Sequence, residues 1–468
     1  MMRRRLLCLV LNVLLGVVAA HARVILPSIF SDNMVLQQKD EVPLWGKAAP
    51  RKAISIITSW NNKKYTVVSD SEGAWRIKVT TPTAGGPYTI IFSDGEKLTL
   101  QNILIGEVWI CSGQSNMEMP VKGFGNQPIL GSSDILFDAD NSQIRLIRFE
   151  RAMSRTPQAD GHSTSWQVSD AESAREFSAV GYQFAQMLQR KLKVPVGMIM
   201  STWGGTKIEA WMSESSLKAF PDISIPALND TARIIKNDPT VLFNAMIHPF
   251  LGYGVKGVLW YQGEQNRSNP QLYDRLMVAM VNEWRGRWNR DFPFYYVQIA
   301  PFKYKDTIGP ANLLREAQLK ASTLIPNAGM VVTMDVGAEH FIHPPDKTTI
   351  ARRLAYWAMA NTYGMKGLPF ASPVFKSMTI DNGAAIISFH YAENGLTSFG
   401  KALSAFEIAG EDKVFYPATA RITGRGVVVQ SDGVKKPVAV RYAFKDWVEG
   451  DLFNTEGLPA SPFRTDHW

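Results

Sequence analysis

The stretch Glu107-Val-Trp-Ile-Cys-Ser-Gly-Gln-Ser-Asn-Met117 decides the fold, because an apolar run ends there in a cluster of small and polar residues. A buried strand that breaks at Gly113 into a tight turn reaches the carboxyl end of a parallel sheet. Ser115 would then present its hydroxyl to the crevice beside free backbone amides. The hydrolase elbow Gly-x-Ser-x-Gly is not met, since Met117 replaces the second glycine. The stretch predicts either a serine nucleophile or a plain capping turn.

The same strand-to-loop pattern recurs from Ile103 to about Gly364. Alternation of strands with helical segments predicts a mostly parallel sheet covered on both faces, so the chain is placed in the α/β class. The loops that follow such strands converge on one crevice. The predicted strands are Val108–Cys111, Val196–Met200, Val255–Tyr261, Phe294–Ile299 and Met330–Met334, and the main loops are Ser112–Ser115, Ser201–Gly205, Gln262–Gln265 and Asp335–His343.

Shorter β patterns flank this region on both sides. Between Val24 and about Asn102, short apolar stretches broken by turn residues predict an antiparallel β-sandwich. After Pro369 the pattern returns to β. The chain is therefore divided into a signal peptide (1–22), a β-sandwich (23–102), an α/β catalytic domain (103–368) and a C-terminal β region (369–468).

The first 22 residues are typical of a secretory signal. Arg3-Arg-Arg5 precedes an apolar run from Leu6 to Ala20, and Ala20-His-Ala22 is a small-x-small cleavage site. The mature chain is expected to begin near Arg23 and to be periplasmic or extracellular. The run is shorter than the roughly 20 apolar residues that span a bilayer, so no membrane span is predicted.

Composition excludes several classes of protein. The formal net charge is +8, and loss of the three leader arginines leaves +5 without a long basic block, which does not favour nucleic-acid binding. The chain has 2 cysteines, Cys8 in the leader and Cys111. The mature chain can therefore form neither an intramolecular disulfide nor a cysteine-based zinc site.

A serine nucleophile needs a base and donors for the developing oxyanion. His343 follows the predicted strand Met330–Met334 and can face Ser115 across the crevice, unlike the histidines at 162, 248, 390 and 467. A metal cluster is an alternative interpretation of Glu339, His340, His343 and Asp346, but their spacing does not match a complete set of metal ligands. No metal or other cofactor is predicted.

Several motifs taken together resemble the sialate O-acetylesterase family of the SGNH hydrolases, and the likeness covers nearly the whole mature chain. They are Gly113-Gln-Ser-Asn-Met117, Trp203-Gly-Gly-Thr206, Glu209-Ala-Trp-Met212, Trp260-Tyr-Gln-Gly-Glu264, Leu314-Arg-Glu-Ala-Gln318, Ile342-His-Pro344, Phe30-Ser-Asp-Asn-Met-Val-Leu-Gln37 and the stretch from Leu452 to Phe463.

The resemblance implies an SGNH-like sheet and a role for each matched residue. Ser115 would be the nucleophile, and its own amide would be one oxyanion donor. The second donor would be the backbone amide of Gly204 or Gly205, and the third the side-chain amide of Gln262.

The third catalytic residue departs from the family pattern. Most SGNH hydrolases carry an aspartate three positions before the histidine, where this chain has His340. Asp335, Glu339 and Glu264 are each candidates to orient His343. A backbone carbonyl could also hold the ring and leave a Ser115–His343 dyad.

The predicted function is a secreted carbohydrate O-acetylesterase that works through an acyl-enzyme, with an O-acetylated sugar or glycan as its partner. The family points to O-acetylated sialic acids, for whose carboxylate Lys207 and Arg267 are candidate cations. The alternative substrate is acetylxylan, with Trp203 and Trp260 in a sugar platform that also includes Trp211 and Tyr261. A rival from another class is a non-catalytic carbohydrate-binding protein. The sequence makes no prediction of oligomeric state.

Overall fold

The computed structural model describes residues 23–424 and 426–468. The predicted signal peptide, residues 1–22, lies outside the described residues. Within those described ranges, none of the helices combines the length and the apolar character that crossing a bilayer requires.

One long strand, β7 (Lys97–Gly113), organises the fold because it belongs to two regions at once. Its first part pairs antiparallel with β6 (Gly85–Ser93). Its second part lies parallel between β10 (Val196–Thr202) and β11 (Gly257–Tyr261). The predicted boundary at residue 103 therefore lies inside a continuous strand.

The parallel sheet has the order β13-β12-β11-β7-β10-β8, with β9 added antiparallel at the edge. The five predicted strands are confirmed, while β8 and β9 were not predicted. Because the chain moves from β7 to one side and later to the other, β7 lies at the switch point where ligands bind in such sheets. The remaining strands are β8 (Asn141–Arg148), β9 (Gln167–Ser169), β12 (Phe294–Val297) and β13 (Ala328–Val331).

Helices cover both faces of this sheet, as the alternation of strand residues requires. In β7, Val108 and Ile110 belong to the buried cluster that includes α6 and α7, whereas Trp109 and Cys111 belong to the cluster with α4 and α8. The helices are α1 (Ser115–Glu118), α2 (Ser132–Phe137), α3 (Ala171–Arg175), α4 (Ala179–Leu192), α5 (Glu214–Leu217), α6 (Pro270–Trp288), α7 (Ala311–Leu324) and α8 (Lys347–Trp357), with 3-10 turns at Ile208–Trp211, His248–Phe250 and Glu264–Ser268 and π-turns at Phe243–Ile247 and Ala358–Thr362.

The N-terminal strands form the predicted β-sandwich. One sheet joins β3, β4, β6 and β7, and the other is the pair β2 and β5. Trp75 of β5 meets Phe92 of β6 across the sandwich with ring centroids 5.9 Å apart. The strands are β1 (Val35–Gln37), which pairs parallel with β7, β2 (Glu41–Lys47), β3 (Ala53–Thr58), β4 (Lys63–Val68) and β5 (Ala74–Thr80).

The C-terminal region consists of antiparallel sheets that are tied to the α/β region. Arg464 forms a bidentate ion pair with Glu316 of α7, with N–O distances of 2.9 and 3.0 Å. The two larger sheets have the orders β14-β15-β20-β19 and β18-β17-β21-β23. Their strands and the small pair β16–β22 are β14 (Val374–Asp381), β15 (Ala384–His390), β16 (Leu396–Thr397), β17 (Phe406–Ala409), β18 (Phe415–Pro417), β19 (Thr419–Thr423), β20 (Gly426–Gln430), β21 (Ala439–Tyr442), β22 (Phe453–Asn454) and β23 (Phe463–Arg464).

Candidate active site

The turn between β7 and α1 places Ser115 at the carboxyl end of the central strand. Gly113 has a φ of 132°, and a Cβ there would lie 2.2 Å from the carbonyl oxygen of Tyr261. Only glycine fits such a close approach. The backbone N–H of Gln114 donates to the same carbonyl at 2.9 Å, and its side-chain oxygen accepts from Gly263 N–H at 3.1 Å. The turn is therefore fixed on β11.

Ser115 faces the loop that follows β10. A Cβ added to Gly204 would lie 3.1 Å from Ser115 Cβ, so the glycine backbone passes directly beside the serine. Among residues 23–424 and 426–468, no group forms a hydrogen bond with the Ser115 hydroxyl or accepts one from its backbone N–H. Both groups are open to a ligand.

The backbone N–H groups of Gly204 and Gly205, the two predicted oxyanion donors, differ in their hydrogen bonding. Gly204 N–H donates to Glu118 Oε2 at 2.8 Å, and Arg151 Nε donates to the other carboxylate oxygen at 2.7 Å. Lys236 Nζ donates to the Gly204 carbonyl at 2.6 Å. Since C=O and N–H point in opposite directions across a trans peptide, the Gly205 N–H points away from Lys236. It has no acceptor within the described part of the chain.

His343 is held by an amide. Its Nδ1 lies 2.5 Å from Gln127 Oε1, and the ring of Phe124 meets it edge-on at 5.3 Å. An amide oxygen can only accept, so Nδ1 carries the hydrogen and Nε2 keeps its lone pair. Burial, together with the charge of Lys347, lowers the pKa of His343 to about 4. The ring is therefore neutral at pH 7, and its Nε2 is in the unprotonated form that a general base needs.

Asn116 joins the serine turn to the histidine loop. Its Nδ2 donates to the carbonyl of Ile342 at 3.2 Å and to Glu264 Oε1 at 2.6 Å. The residue after Ser115 is thus bonded to the residue before His343. No hydrogen bond links the two side chains in the described structure, which is common in enzymes without substrate. The arrangement brings the two predicted loops together. We expect the hydrogen bond between the Ser115 and His343 side chains to form when substrate binds.

Comparison with known proteins shows the family of this chain. The sequence profile of the family described as carbohydrate esterase, sialic acid-specific acetylesterase, matches residues 105–358, which is more than half of the chain. The chain belongs to this family. This esterase is therefore a carboxylic ester hydrolase, and the alternative of a non-catalytic carbohydrate-binding protein does not hold.

Individual relatives cover nearly all of the esterase. A carbohydrate acetylesterase from Xanthomonas citri, known from its crystal structure, is 36% identical with a TM-score of 0.86, and the match covers 95% of this chain and 100% of that one. The sialate O-acetylesterases of Pongo abelii and Homo sapiens are each 29% identical over 485 residues, covering 93% of this chain and 91% of theirs.

None of the three predicted orienting acids binds His343 in this esterase. Asp335 forms a bidentate pair with Arg353 at 2.7 and 2.6 Å. Glu339 lies at the surface and accepts from Lys303 at 2.9 Å. Glu264 is directed to Asn116 instead. Gln127 takes their place, and no sequence signal marked it, because a glutamine 216 residues from the histidine belongs to no motif.

Gln262 does not fit the predicted oxyanion role. Its Nε2 donates to Thr206 O at 2.9 Å and to Asn266 Oδ1 at 2.7 Å, so both amide hydrogens are used. Tyr273 donates to its Oε1 at 2.8 Å, and the side chain is fully buried. The residue braces the loops around the site rather than facing the crevice.

Two of the predicted substrate contacts also need correction. Trp260 is 0% exposed and Arg267 is 2% exposed, so neither can touch a glycan. Arg267 binds both carboxylate oxygens of Asp306 at 2.8 and 2.7 Å. Trp211 and Tyr261 of the predicted sugar platform are likewise buried.

A surface candidate beside the glycines is Trp203, which is half-buried. The guanidinium of Arg151, which was not predicted, lies 6.0 Å from its ring centroid. Lys207 is also half-buried in this loop. Trp203 and Lys207 therefore belong to the same loop as Gly204, which passes beside Ser115.

A cavity of about 350 Å³ borders the site. It touches the catalytic surroundings through Phe124, which packs on His343, and Glu118, which binds Gly204. Arg148 and Arg151 also line it.

Among the described residues, no group of three His, Cys, Asp or Glu side chains is placed to hold a metal ion.

Proposed function

We propose that this chain is a secreted carbohydrate O-acetylesterase in which Ser115 attacks the acetyl carbonyl and His343 accepts the serine proton. The observation that carries the proposal is the hydrogen bond from Asn116 Nδ2 to the carbonyl of Ile342, which ties the residue after Ser115 to the residue before His343. The neutral ring with its free Nε2 supports the role of His343 as a general base.

The reaction follows from the open groups at the site. As Ser115 Oγ bonds to the acetyl carbon, its proton passes to His343 Nε2. The negative charge on the carbonyl oxygen is stabilised by the N–H groups of Ser115 and Gly205. Collapse expels the sugar oxygen, which takes the proton from His343 and leaves acetyl-Ser115. Water, deprotonated by His343, then attacks the acyl carbon. The bond to Ser115 Oγ breaks, the serine oxygen takes the proton back from His343, and acetate is released.

O-acetylated sialic acids are the proposed substrate class. Such sugars carry a carboxylate, and Arg148 and Arg151 line the cavity next to the site. Their guanidinium groups now pair with Glu150 at 2.9 Å and Glu118 at 2.7 Å. A ligand carboxylate could exchange with these partners, since arginine binds carboxylates in a bidentate manner.

Acetylated plant polysaccharide such as acetylxylan is the second candidate. The Xanthomonas citri relative is a carbohydrate acetylesterase and is 36% identical to this chain. The exposed part of Trp203 suits a neutral sugar ring as well as a charged one.

The first test compares hydrolysis of p-nitrophenyl acetate by the wild type and by matched pairs of variants. Ser115→Ala should be inactive while Ser71→Ala, an exposed serine in the sandwich, keeps full activity. His343→Asn should lose activity while His340→Asn does not, because the His340 side chain is 72% exposed in the same loop. Equal rates for wild type and Ser115→Ala would overturn the assignment.

The acyl-enzyme and the substrate need separate measurements. Mass spectrometry of protein quenched during turnover should find an acetyl group on the peptide that contains Ser115. Acetate release from 9-O-acetylated sialic acid should exceed that from acetylxylan if the sialate proposal holds. The reverse order would select the polysaccharide.

Secretion is tested on the protein made in its own host. N-terminal sequencing of the periplasmic or extracellular fraction should find a chain that begins near Arg23. An uncut chain in the cell interior would contradict the proposal.

A further inference from the structure

Lys347 occupies a position that should disfavour a lysine. It is 0% exposed and is the first residue of α8. A cation at a helix N-terminus opposes the helix dipole. Burial of an ammonium group costs several kcal/mol unless it is well partnered. A buried lysine at such a position is a candidate for a function at the site it faces.

The partner of Lys347 is the side chain next to the serine. Lys347 Nζ donates to Asn116 Oδ1 at 2.5 Å. The amide of Asn116 uses both of its ends, since Nδ2 donates to Glu264 Oε1 and to the carbonyl of Ile342. The amide cannot be reversed without setting N–H against ammonium and oxygen against carboxylate. The orientation of Asn116, and with it the link between the serine and histidine loops, is thus fixed by Lys347 and Glu264.

The charges around Lys347 come from several elements. Glu264 follows β11, Asp346 precedes α8, and the ring of Tyr261 lies 5.5 Å from the ammonium group. Burial lowers the pKa of Lys347 to about 7, opposed by the two carboxylates. Burial also raises the pKa of Glu264. The positive charge of Lys347 in turn lowers the pKa of His343.

We propose that Lys347 is a positioning residue for the Ser115–His343 pair and acts through the fixed amide of Asn116. The inference rests on the proposed function and extends it to a group that does not touch substrate. Lys347 keeps the serine turn and the histidine loop in register, and its charge adds to the burial that lowers the pKa of His343. Removal of the charge should therefore change both the turnover number and its pH dependence.

The first experiment compares Lys347→Met with Arg352→Met, a control at an exposed position of the same helix. Lys347→Met should lower kcat by about 10²-fold, the cost typical of a catalytic group misplaced by about 1 Å. KM should stay within about twofold because a buried group contacts no substrate. The acid limb of kcat/KM should move to higher pH, since the His343 pKa rises towards its ordinary value. Arg352→Met should match the wild type.

A second experiment reverses the polarity of the hydrogen bond between Asn116 and Glu264. Asn116→Asp opposes two carboxylates and should reduce kcat by about 10²-fold. The double variant Asn116→Asp with Glu264→Gln restores a donor–acceptor pair and should recover part of that loss. Thermal melting of each variant checks folding, so recovery in the double variant supports the fixed orientation of the Asn116 amide, through which Lys347 acts, even where Lys347→Met is unstable.

The outcomes separate the two claims. If Ser115→Ala abolishes activity while Lys347→Met keeps the wild-type kcat and pH profile, the positioning role is overturned and the proposed function stands. A folded Lys347→Met whose kcat falls without any shift of the acid limb contradicts the electrostatic part. If the double variant is no better than Asn116→Asp, the orientation of the amide is not what matters. If the wild type does not hydrolyse acetyl esters, both claims fall.

Discussion

At the scale of single residues, the site replaces a charged acid with a neutral amide. Gln127 fixes the tautomer of His343 as an aspartate would, but it adds no negative charge to stabilise an imidazolium. The burial of the ring and the charge of Lys347 act in the same direction. The base is therefore weak and remains neutral far into the acid range.

This arrangement predicts an unusual pH dependence for the wild type. The acid limb of kcat/KM should have its midpoint near pH 4, the pKa of His343, rather than near the ordinary value of 6.5. Stopped assays of acetate release from pH 3 to 8 would measure it. A midpoint above pH 6 would contradict the neutral environment described for the ring.

The same pKa affects stability with a definite sign. Between pH 6.5 and about 4 the unfolded chain binds a proton at His343 that the folded chain does not. The contribution of this residue to the free energy of unfolding should therefore fall as pH is lowered through that window. Urea unfolding of wild type and His343→Gln at pH 7 and pH 5 isolates the effect. The stability loss on acidification should be smaller in the variant.

Gln127 itself can be tested with two substitutions. Gln127→Glu places a carboxylate on Nδ1, which should raise the His343 pKa and move the acid limb of kcat/KM to higher pH. Gln127→Leu removes the acceptor, frees the tautomer and should lower kcat about tenfold or more. Both are followed by pH profiles with p-nitrophenyl acetate. Identical profiles for Gln127→Glu and wild type would show that Nδ1 has another partner during turnover.

The site residues show how far sequence reasoning reaches. Ser115 and His343 were predicted because each follows a strand of the parallel sheet, and strand ends meet at one edge. A charge or an aromatic ring near a motif predicts a side chain that faces the crevice, and this prediction is wrong for Arg267 and Trp260. Their burial depends on packing from α6 and α7 and on Asp306, which no local pattern encodes.

At the scale of elements, the decisive unit is β7 with the turn into α1. Five strands were predicted because their apolar runs are nearly continuous, as expected for strands covered on both faces. β8 was not predicted because Gln143, Arg145 and Arg148 interrupt its apolar residues. Arg145 is nevertheless buried. A buried strand that contains a charged residue therefore lacks the continuous apolar run from which such strands are predicted.

The prediction for the elements concerns the substitution of Gly113. Gly113→Ala should destabilise the fold by more than about 1 kcal/mol and abolish activity, because alanine is strained at positive φ and its Cβ would overlap the Tyr261 carbonyl. Gly125→Ala is the control, since a Cβ there meets nothing within 4 Å. Urea unfolding and esterase assays of both variants decide the matter. A stable, active Gly113→Ala would mean that the turn can relax without moving Ser115.

At the scale of the whole molecule, the three regions share contacts rather than sitting apart. The two flanking β regions were predicted from composition, but their attachment was not, because residues distant in sequence make it. Arg315 of α7 is 0% exposed and donates to the carbonyl of Lys445 in the C-terminal region. Ser461 meets Gln298 beyond β12 at 3.1 Å.

The ion pair between Arg464 and Glu316 offers a test of this attachment. Arg464→Ala removes the cation that Glu316 and Asp466 share, and the side chains of Arg464 and Glu316 are each only 18% exposed. Lys320 stays 3.7 Å from Glu316, and Arg441 stays 2.6 Å from Asp466. The free energy of unfolding should fall by about 1–3 kcal/mol. The exposed residue Lys376, changed to alanine, serves as the control. Urea denaturation measures both, and an unchanged midpoint for Arg464→Ala would show that the pair contributes nothing to the attachment.

Because β7 is continuous, its pairing in the N-terminal sheet also sets its register in the parallel sheet that carries the candidate active site. Leu104 is registered on Val35 of β1, and only three residues later Glu107 is registered on Val196 of β10. One inserted residue upstream of this point would advance the serine by about 3.3 Å or turn each following side chain to the opposite face. A change in the number of residues in β7 would therefore displace the Ser115 turn from the loops that complete the site.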